Sequence, residues 1–265
     1  MCWQLSNSAV RLNWVIEMPR HARQKSESGI YHVMLRGINQ QQIFEDTEDY
    51  DKFLQVLKDC KNICGYKLFA YCLMGNHIHL LIKPEKESIE QIFKRIAGRY
   101  VYWYNVKYQR IGHLFQDRFK SEPVEDDSYF LMVLRYIHQN PVKAGICEKV
   151  IEYKYSSYRE YTSNSQIADT DFAFKMISKN EFERYTNEKN SDKCLEIENY
   201  QKIRVTDEQA KKIIENISGC NNIAEFQKLD IKYRDKFIAN FKEKGLSIRQ
   251  ISRLTGISFA IVRKI

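Results

Sequence analysis

Only four prolines and ten glycines occur in the 265-residue sequence. Collagen-like and low-complexity classes need several times that density, so both are excluded. No apolar run approaches the roughly 20 residues that a membrane-spanning helix requires. Seven cysteines (Cys2, Cys60, Cys64, Cys72, Cys147, Cys194, Cys220) make an odd number with no CxxC pair. That pattern argues against a zinc ribbon or disulfide scaffold and for reduced thiols in a cytosol. The expectation is a cytoplasmic protein with no membrane partner. The first 17 residues also lack the basic start and apolar core of a secretory signal. They read as an accessory extension, or a start-site artefact ahead of Met18-Pro19-Arg20.

What is present points toward nucleic acid. Hydrophobic residues make up 43% and charged residues 29%, enough apolar material for a real core. Lysine and arginine number 42 against 34 acidic residues, a net +8. A basic balance makes nucleic acid an expected partner. The charge is uneven: residues 163–200 carry 5 basic and 8 acidic side chains, whereas 201–265 carry 14 and 7. Four segments follow: the extension 1–17, a main domain 18–161, a partly helical connector 162–200, and a basic helical domain 201–265.

Within 18–161 the pattern alternates. Ile30 to Leu35 is β-branched and aromatic and is closed by Gly37, a strand signal. Asp46 to about Ile63 has helical periodicity, with Tyr50, Phe53, Leu54, Leu57 and Cys60 on one side. Tyr66–Met74 and His77–Ile82 read as two strands around a Gly75-Asn76 turn. Ser88 caps a long helix to about Tyr108, Gly112–Val124 contains a strand, and Asp127 opens a helix that Pro141 should end. The expected class is α+β: a mainly antiparallel sheet with helices on one face.

Residues two apart on a strand share a face, so His77 and His79 project together. Two such imidazoles can chelate a divalent metal, or can be half-buried packing residues. Tyr136 and Asn140, four apart, share a helical face, with Asn140 in the last turn. Alone, that pair is near background, and core packing is the default for Tyr136.

Taken together these segments resemble the REP-associated tyrosine transposases, members of the HUH superfamily of single-strand DNA nucleases. The resemblance rests on Gly29-Ile30-Tyr31-His32-Val33, Arg36-Gly37, Ile43-Phe44, Met74-Gly75-Asn76-His77-Ile78-His79, Gly112 to Ser121, Tyr136 to Gly145, and Tyr153 to Tyr161. It implies an HUH nuclease-like, ferredoxin- or RRM-like fold. It further implies that His77, His79 and Asn140 bind a divalent metal, Mg²⁺ or Mn²⁺, and that Tyr136 is the nucleophile. Attack would leave a 5′-phosphotyrosine and a free 3′-hydroxyl on single-stranded or hairpin DNA.

Further DNA contacts are expected from Gln116, Arg118 and Lys120, whose side chains offer directed hydrogen bonds and charge. The aromatic strip Tyr100, Trp103, Tyr104 and Tyr108 has core spacing, and Cys60 and Cys64 read as small core residues. In the tail, Ser247 caps a helix with Ile248, Ile251 and Leu254 inward. Gly256 turns, and Ser258 caps a second helix with Ile261, Val262 and Ile265 inward. This is a helix-turn-helix pattern, with Arg249, Arg253, Arg263 and Lys264 placed for duplex DNA; a packing or dimerisation hairpin is the alternative. The expected function is a metal-dependent single-strand DNA endonuclease and strand transferase. The competing reading is a catalytically idle DNA-binding regulator that keeps the fold.

Overall fold

A computed structural model describes residues 23–195, 205 and 207–265. The expectations for residues 1–17 and Met18-Pro19-Arg20 lie outside the described residues, as do 196–204 and 206. Four strands form one antiparallel sheet: β1 (Tyr31–Arg36), β2 (Tyr66–Met74), β3 (His77–Pro84) and β4 (Lys120–Pro123), in the order β2-β3-β1-β4. Three helices pack on it: α1 (Thr47–Cys64), α2 (Ile89–Lys107) and α3 (Asp127–Lys143).

Local chemistry explains the boundaries. Asp46 and Asp49 exchange side-chain and backbone bonds in a capping box at the start of α1, and Gly65, at φ 61°, ends it. The two-residue β2–β3 turn is held from outside. Gly75 O accepts from Ile43 N (2.8 Å) and Asn76 O from Gly37 N (2.9 Å). A Cβ on Gly75 would displace the tip of the Gln42 side chain, which packs against this turn.

The antiparallel α+β expectation is met, but the helices do not lie on one face. On one side Val33, Leu35, Leu73, Ile78, Leu80 and Ile82 pack with α1 and α2. On the other Ala70, Cys72, Met74 and Leu81 pack with Phe130, Val133, Tyr136 and Ile137 of α3. The reason is legible in β2, where only Lys67 is exposed. A strand apolar on both sides must be covered on both. Tyr100 and Tyr104 are buried as expected, as are Cys60 and Cys64.

Helix α3 also runs past Pro141 to Lys143. Proline removes one backbone donor, but it stands in the last turn, where little remains to break. Ala144 N still reaches Asn140 O, and Ile146 N reaches Pro141 O, both at 2.9 Å.

The described part of the 162–200 stretch is partly helical, following α4 (Tyr158–Thr162) with α5 (Asp171–Phe174) and α6 (Lys179–Asn187). It is not a loose connector. Phe182 is buried against Tyr158 and Tyr161, and Gln139 Nε2 donates to Thr186 O (2.7 Å). These residues complete the core beneath α3.

The tail folds as α7 (Asp207–Ser218), α8 (Ile223–Gln227), α9 (Ile231–Glu243), α10 (Ile248–Thr255) and α11 (Phe259–Lys264) around its own apolar cluster. Ser247 and Ser258 cap α10 and α11, and Gly256 is left-handed at φ 69°. Ile251 and Val262 are buried, with Ile248, Leu254 and Ile265 packed against them. Ile261 departs from expectation, remaining 41% exposed. Successive helical residues are turned about 100° apart, so with Val262 facing inward on this six-residue helix, Ile261 is carried off the buried side.

Candidate active site

The site lies between the sheet and α3. Strand alternation puts His77, His79 and Leu81 of β3 on the α3 side, as read from sequence. From β1, His32, Met34 and Arg36 join them, because Met34 pairs with His79 and Arg36 with His77. Tyr136 comes down from α3, its ring centroid 5.8 Å from that of His79 and 5.9 Å from that of His32. One turn later Asn140 donates from Nδ2 to Tyr136 O (3.0 Å). Asn140 also hydrogen-bonds His77. The structure therefore brings His77, His79, Tyr136 and Asn140 together.

Burial sets the charge of the pair. His77 is 2% exposed, and burial, with the neighbouring Arg36, lowers its pKa to about 3. His79 is pushed well below the ordinary value by burial and by the adjacent His77 and His32. Both are neutral at neutral pH and have lone pairs to offer. The His77 Nδ1 lies 2.7 Å from Asn76 Oδ1, and the His79 Nδ1 lies 2.9 Å from His32 Nε2. In each ring these contacts engage Nδ1.

Among the described residues no group of three or more His, Cys, Asp or Glu side chains could hold a metal ion. A cation here would rest on two imidazoles and the Asn140 amide oxygen, all neutral. That mixed N and O set fits a divalent cation that keeps open positions for a phosphate.

Gln116, Arg118 and Lys120 are exposed and line a cavity of about 60 Å³ with Met34, Arg36 and Asp117. Lys120 pairs with Met34, itself the partner of His79, so this basic rim borders the histidines across β1. The Arg36 Nε is buried with no hydrogen-bond partner among the described residues. The tail arginines are placed differently. Arg253 is ion-paired with Glu45 (3.2 Å) and Asp207, and Arg249 donates to Gln41 (2.9 Å). Arg263 and Lys264 stand exposed on α11.

Residues 25–140, which hold all four of the clustered side chains, match the family model described as "Transposase IS200 like". Over these residues the chain is similar to the IS200-like transposases. A Haemophilus influenzae protein that carries the name REP-associated tyrosine transposase is 27% identical over 154 residues, 53% of this chain and 86% of that one. In fold the chain is similar to a REP-associated tyrosine transposase solved with a REP hairpin. The TM-score is 0.50 at 16% identity, over 58% of this chain and 93% of that one.

The matched region also contains site-facing residues that the sequence did not single out as ligands or catalytic groups: His32, Arg36 and Glu122. His32 and Arg36 follow the same alternation as Met34. Their signal was that His32 and Arg36 fall on the same face of β1 as Met34, yet only the register with β3 and β4 shows what those side chains meet.

Proposed function

We propose that this chain is a metal-dependent, single-strand-specific DNA endonuclease and strand transferase that acts on hairpin-forming repeats in the cytoplasm. The observation that carries the reading is the convergence of Tyr136, Asn140 and two neutral histidines in one space between sheet and helix. The relative solved with a REP hairpin supports hairpin DNA as the substrate class.

His77 and His79, through Nε2, and Asn140, through its amide oxygen, would hold Mg²⁺ or Mn²⁺. Bound there, the cation would offset charge developing on the scissile phosphodiester. Tyr136 supplies the nucleophile. Its hydroxyl oxygen bonds to phosphorus as the P–O3′ bond breaks. The phenolic proton leaves to water, and the departing 3′-oxygen takes one up. The products are a 5′-phosphotyrosine and a free 3′-hydroxyl. One phosphoester replaces another, so the reverse attack can rejoin a strand. Gln116, Arg118 and Lys120, with Arg36 behind them, supply donors and positive charge for the flanking phosphates. The tail would engage the duplex part of the substrate through the exposed Arg263 and Lys264.

Tyr136 is only 2% exposed, so a phosphodiester reaches it only after neighbouring groups move. That burial is the one observation favouring the idle DNA-binding regulator. The same experiment separates the two readings. Labelled single-stranded hairpin DNA incubated with the protein and Mn²⁺ should give a denaturant-resistant protein–DNA adduct, lost in Tyr136→Phe while hairpin binding persists. Adduct formation by the Phe variant would place the nucleophile on another tyrosine. No adduct from the wild type would leave the regulator.

A further inference from the structure

Three neighbouring strands contribute one polar side chain each to a continuous chain on the α3 face. Glu122 of β4 stands directly opposite His32 of β1, and His32 lies diagonal to His79 of β3. The contacts are short: His32 Nδ1 to Glu122 Oε1 is 2.6 Å, and His32 Nε2 to His79 Nδ1 is 2.9 Å. His32 is 0% exposed and His79 1%. Glu122 Oε1 also accepts from Leu195 N at 3.0 Å, which fixes the carboxylate from a second direction.

We propose that Glu122 and His32 are positioning residues that hold His79 as the tautomer protonated on Nδ1, with the Nε2 lone pair directed to the metal. The inference rests on the metal-dependent reading above. The donor count argues for it. A carboxylate can only accept, so the His32 proton sits on Nδ1 and points at Glu122. A metal on His79 Nε2 leaves the His79 hydrogen on Nδ1, where His32 Nε2, 2.9 Å away, can accept it. The remaining His79 nitrogen, Nε2, carries a lone pair. The opposite arrangement, with the shared proton on His32 Nε2, would protonate His79 on the nitrogen a metal needs. Because both His32 nitrogens are engaged, His32 is not a third ligand. It orients one, as outer hydrogen-bond partners of metal-bound histidines do.

The His32 side chain owes its place to the sheet alone. In the β2-β3-β1-β4 order, β1 is the one strand flanked by both β3 and β4. A histidine there can bridge its neighbours on one face, provided its position matches the pleat of both.

The test reads the tautomer first. Long-range proton–nitrogen NMR of the metal-free wild type should show His79 protonated at Nδ1 and bare at Nε2. Mn²⁺ affinity, measured by electron paramagnetic resonance, should fall by about 10- to 100-fold in Glu122→Ala and in His32→Leu. His32→Gln, whose amide can donate to Glu122 and accept from His79, should recover part of that loss. Thermal melts identify any variant that has lost its fold. The wild-type spectrum decides the tautomer whatever the variants do. A wild-type His79 protonated at Nε2, or Mn²⁺ affinity within twofold of wild type in folded Glu122→Ala, would overturn the proposal. A wild type with the assigned tautomer and no measurable Mn²⁺ binding would instead overturn the metal-dependent reading on which it rests.

Discussion

Arg253 of α10 reaches across to Glu45, just ahead of α1, with Nη2 3.2 Å from the carboxylate oxygen. It also binds Asp207 at the start of α7 and lies over the Tyr108 ring, 5.2 Å from its centroid. One guanidinium thus joins the tail to the sheet domain. Burial pushes the Glu45 carboxyl up, against the pull of Arg253. The guanidinium is itself disfavoured by burial, but Glu45 and Asp207 more than offset that and keep it protonated.

Arg253→Ala would leave two nearly buried carboxylates facing each other without a cation. Removing one partner of a fully buried pair costs about 3–5 kcal/mol. The Arg253 side chain is 29% exposed, so a loss nearer 2 kcal/mol is expected after discounting for screening. Urea unfolding should detect it. The same variant should leave the salt dependence of duplex binding unchanged, since this arginine is turned toward protein. A shallower salt slope in Arg253→Ala would return it to the DNA interface.

His77→Ala and His79→Ala should each reduce Mn²⁺-dependent adduct formation by at least about 100-fold, with partial recovery at high Mn²⁺. One imidazole and one amide are too few protein ligands for a cation that dehydrates reluctantly. Hairpin affinity at low salt should change little. Undiminished adduct from the double variant in the presence of a chelator would remove the metal from the mechanism.

His138, two residues before Asn140, offers a pH readout through its contacts with Ser157, Tyr158, Tyr161 and Phe182. It is 0% exposed, its Nε2 lies 2.8 Å from Ser157 Oγ, and burial lowers its pKa to about 3. An unfolded histidine takes its proton near pH 6.5. Between about pH 6.5 and 3 the unfolded chain therefore binds more protons, and stability falls as acid is added. At pH 5 this one residue should cost about 2 kcal/mol relative to neutral pH. Metal-free His138→Gln should show a flatter fall in stability across that range. Parallel slopes for variant and wild type would show that His138 is not neutral in the fold.

The legible part of this architecture was local. Alternation placed His77 and His79 on one face, and a four-residue interval placed Tyr136 above Asn140, because both depend on the geometry of a single element. The Gly75-Asn76 turn and the Ser88, Ser247 and Ser258 caps were legible for the same reason. What escaped depends on partners distant in sequence. His32 meets Glu122 through a β1–β4 register separated by 90 residues, and no periodicity within β1 reports it. Arg253 meets Glu45 across 208 residues, so a basic residue on a helix-turn-helix read as a DNA contact. The placement of α3 opposite α1 and α2 was encoded in the two-sided apolar character of β2, but only pairing order says which helix covers which face.

Chain packing also changes where the protein should be divided. Phe182 and Thr186 are buried beneath α3, and Leu195 N binds Glu122, so truncation at Tyr161 would strip part of the sheet domain's own core. Truncation after Leu195 keeps it and removes the basic tail, whose residues from 201 onward carry 14 basic against 7 acidic side chains. Each phosphate met by a lysine or arginine releases counterions and steepens the loss of affinity with salt. Within the tail Arg253 is committed to carboxylates and Arg249 to Gln41, whereas Arg263 and Lys264 are exposed. The truncated protein should therefore retain adduct formation on a short single-stranded hairpin. On duplex-containing DNA it should show a shallower salt slope than the full chain, and Arg263→Ala with Lys264→Ala in the full chain should reproduce part of that change. Equal slopes for full and truncated proteins, with equal adduct rates, would mean that the tail serves packing through Arg253 and Glu45 rather than duplex recognition.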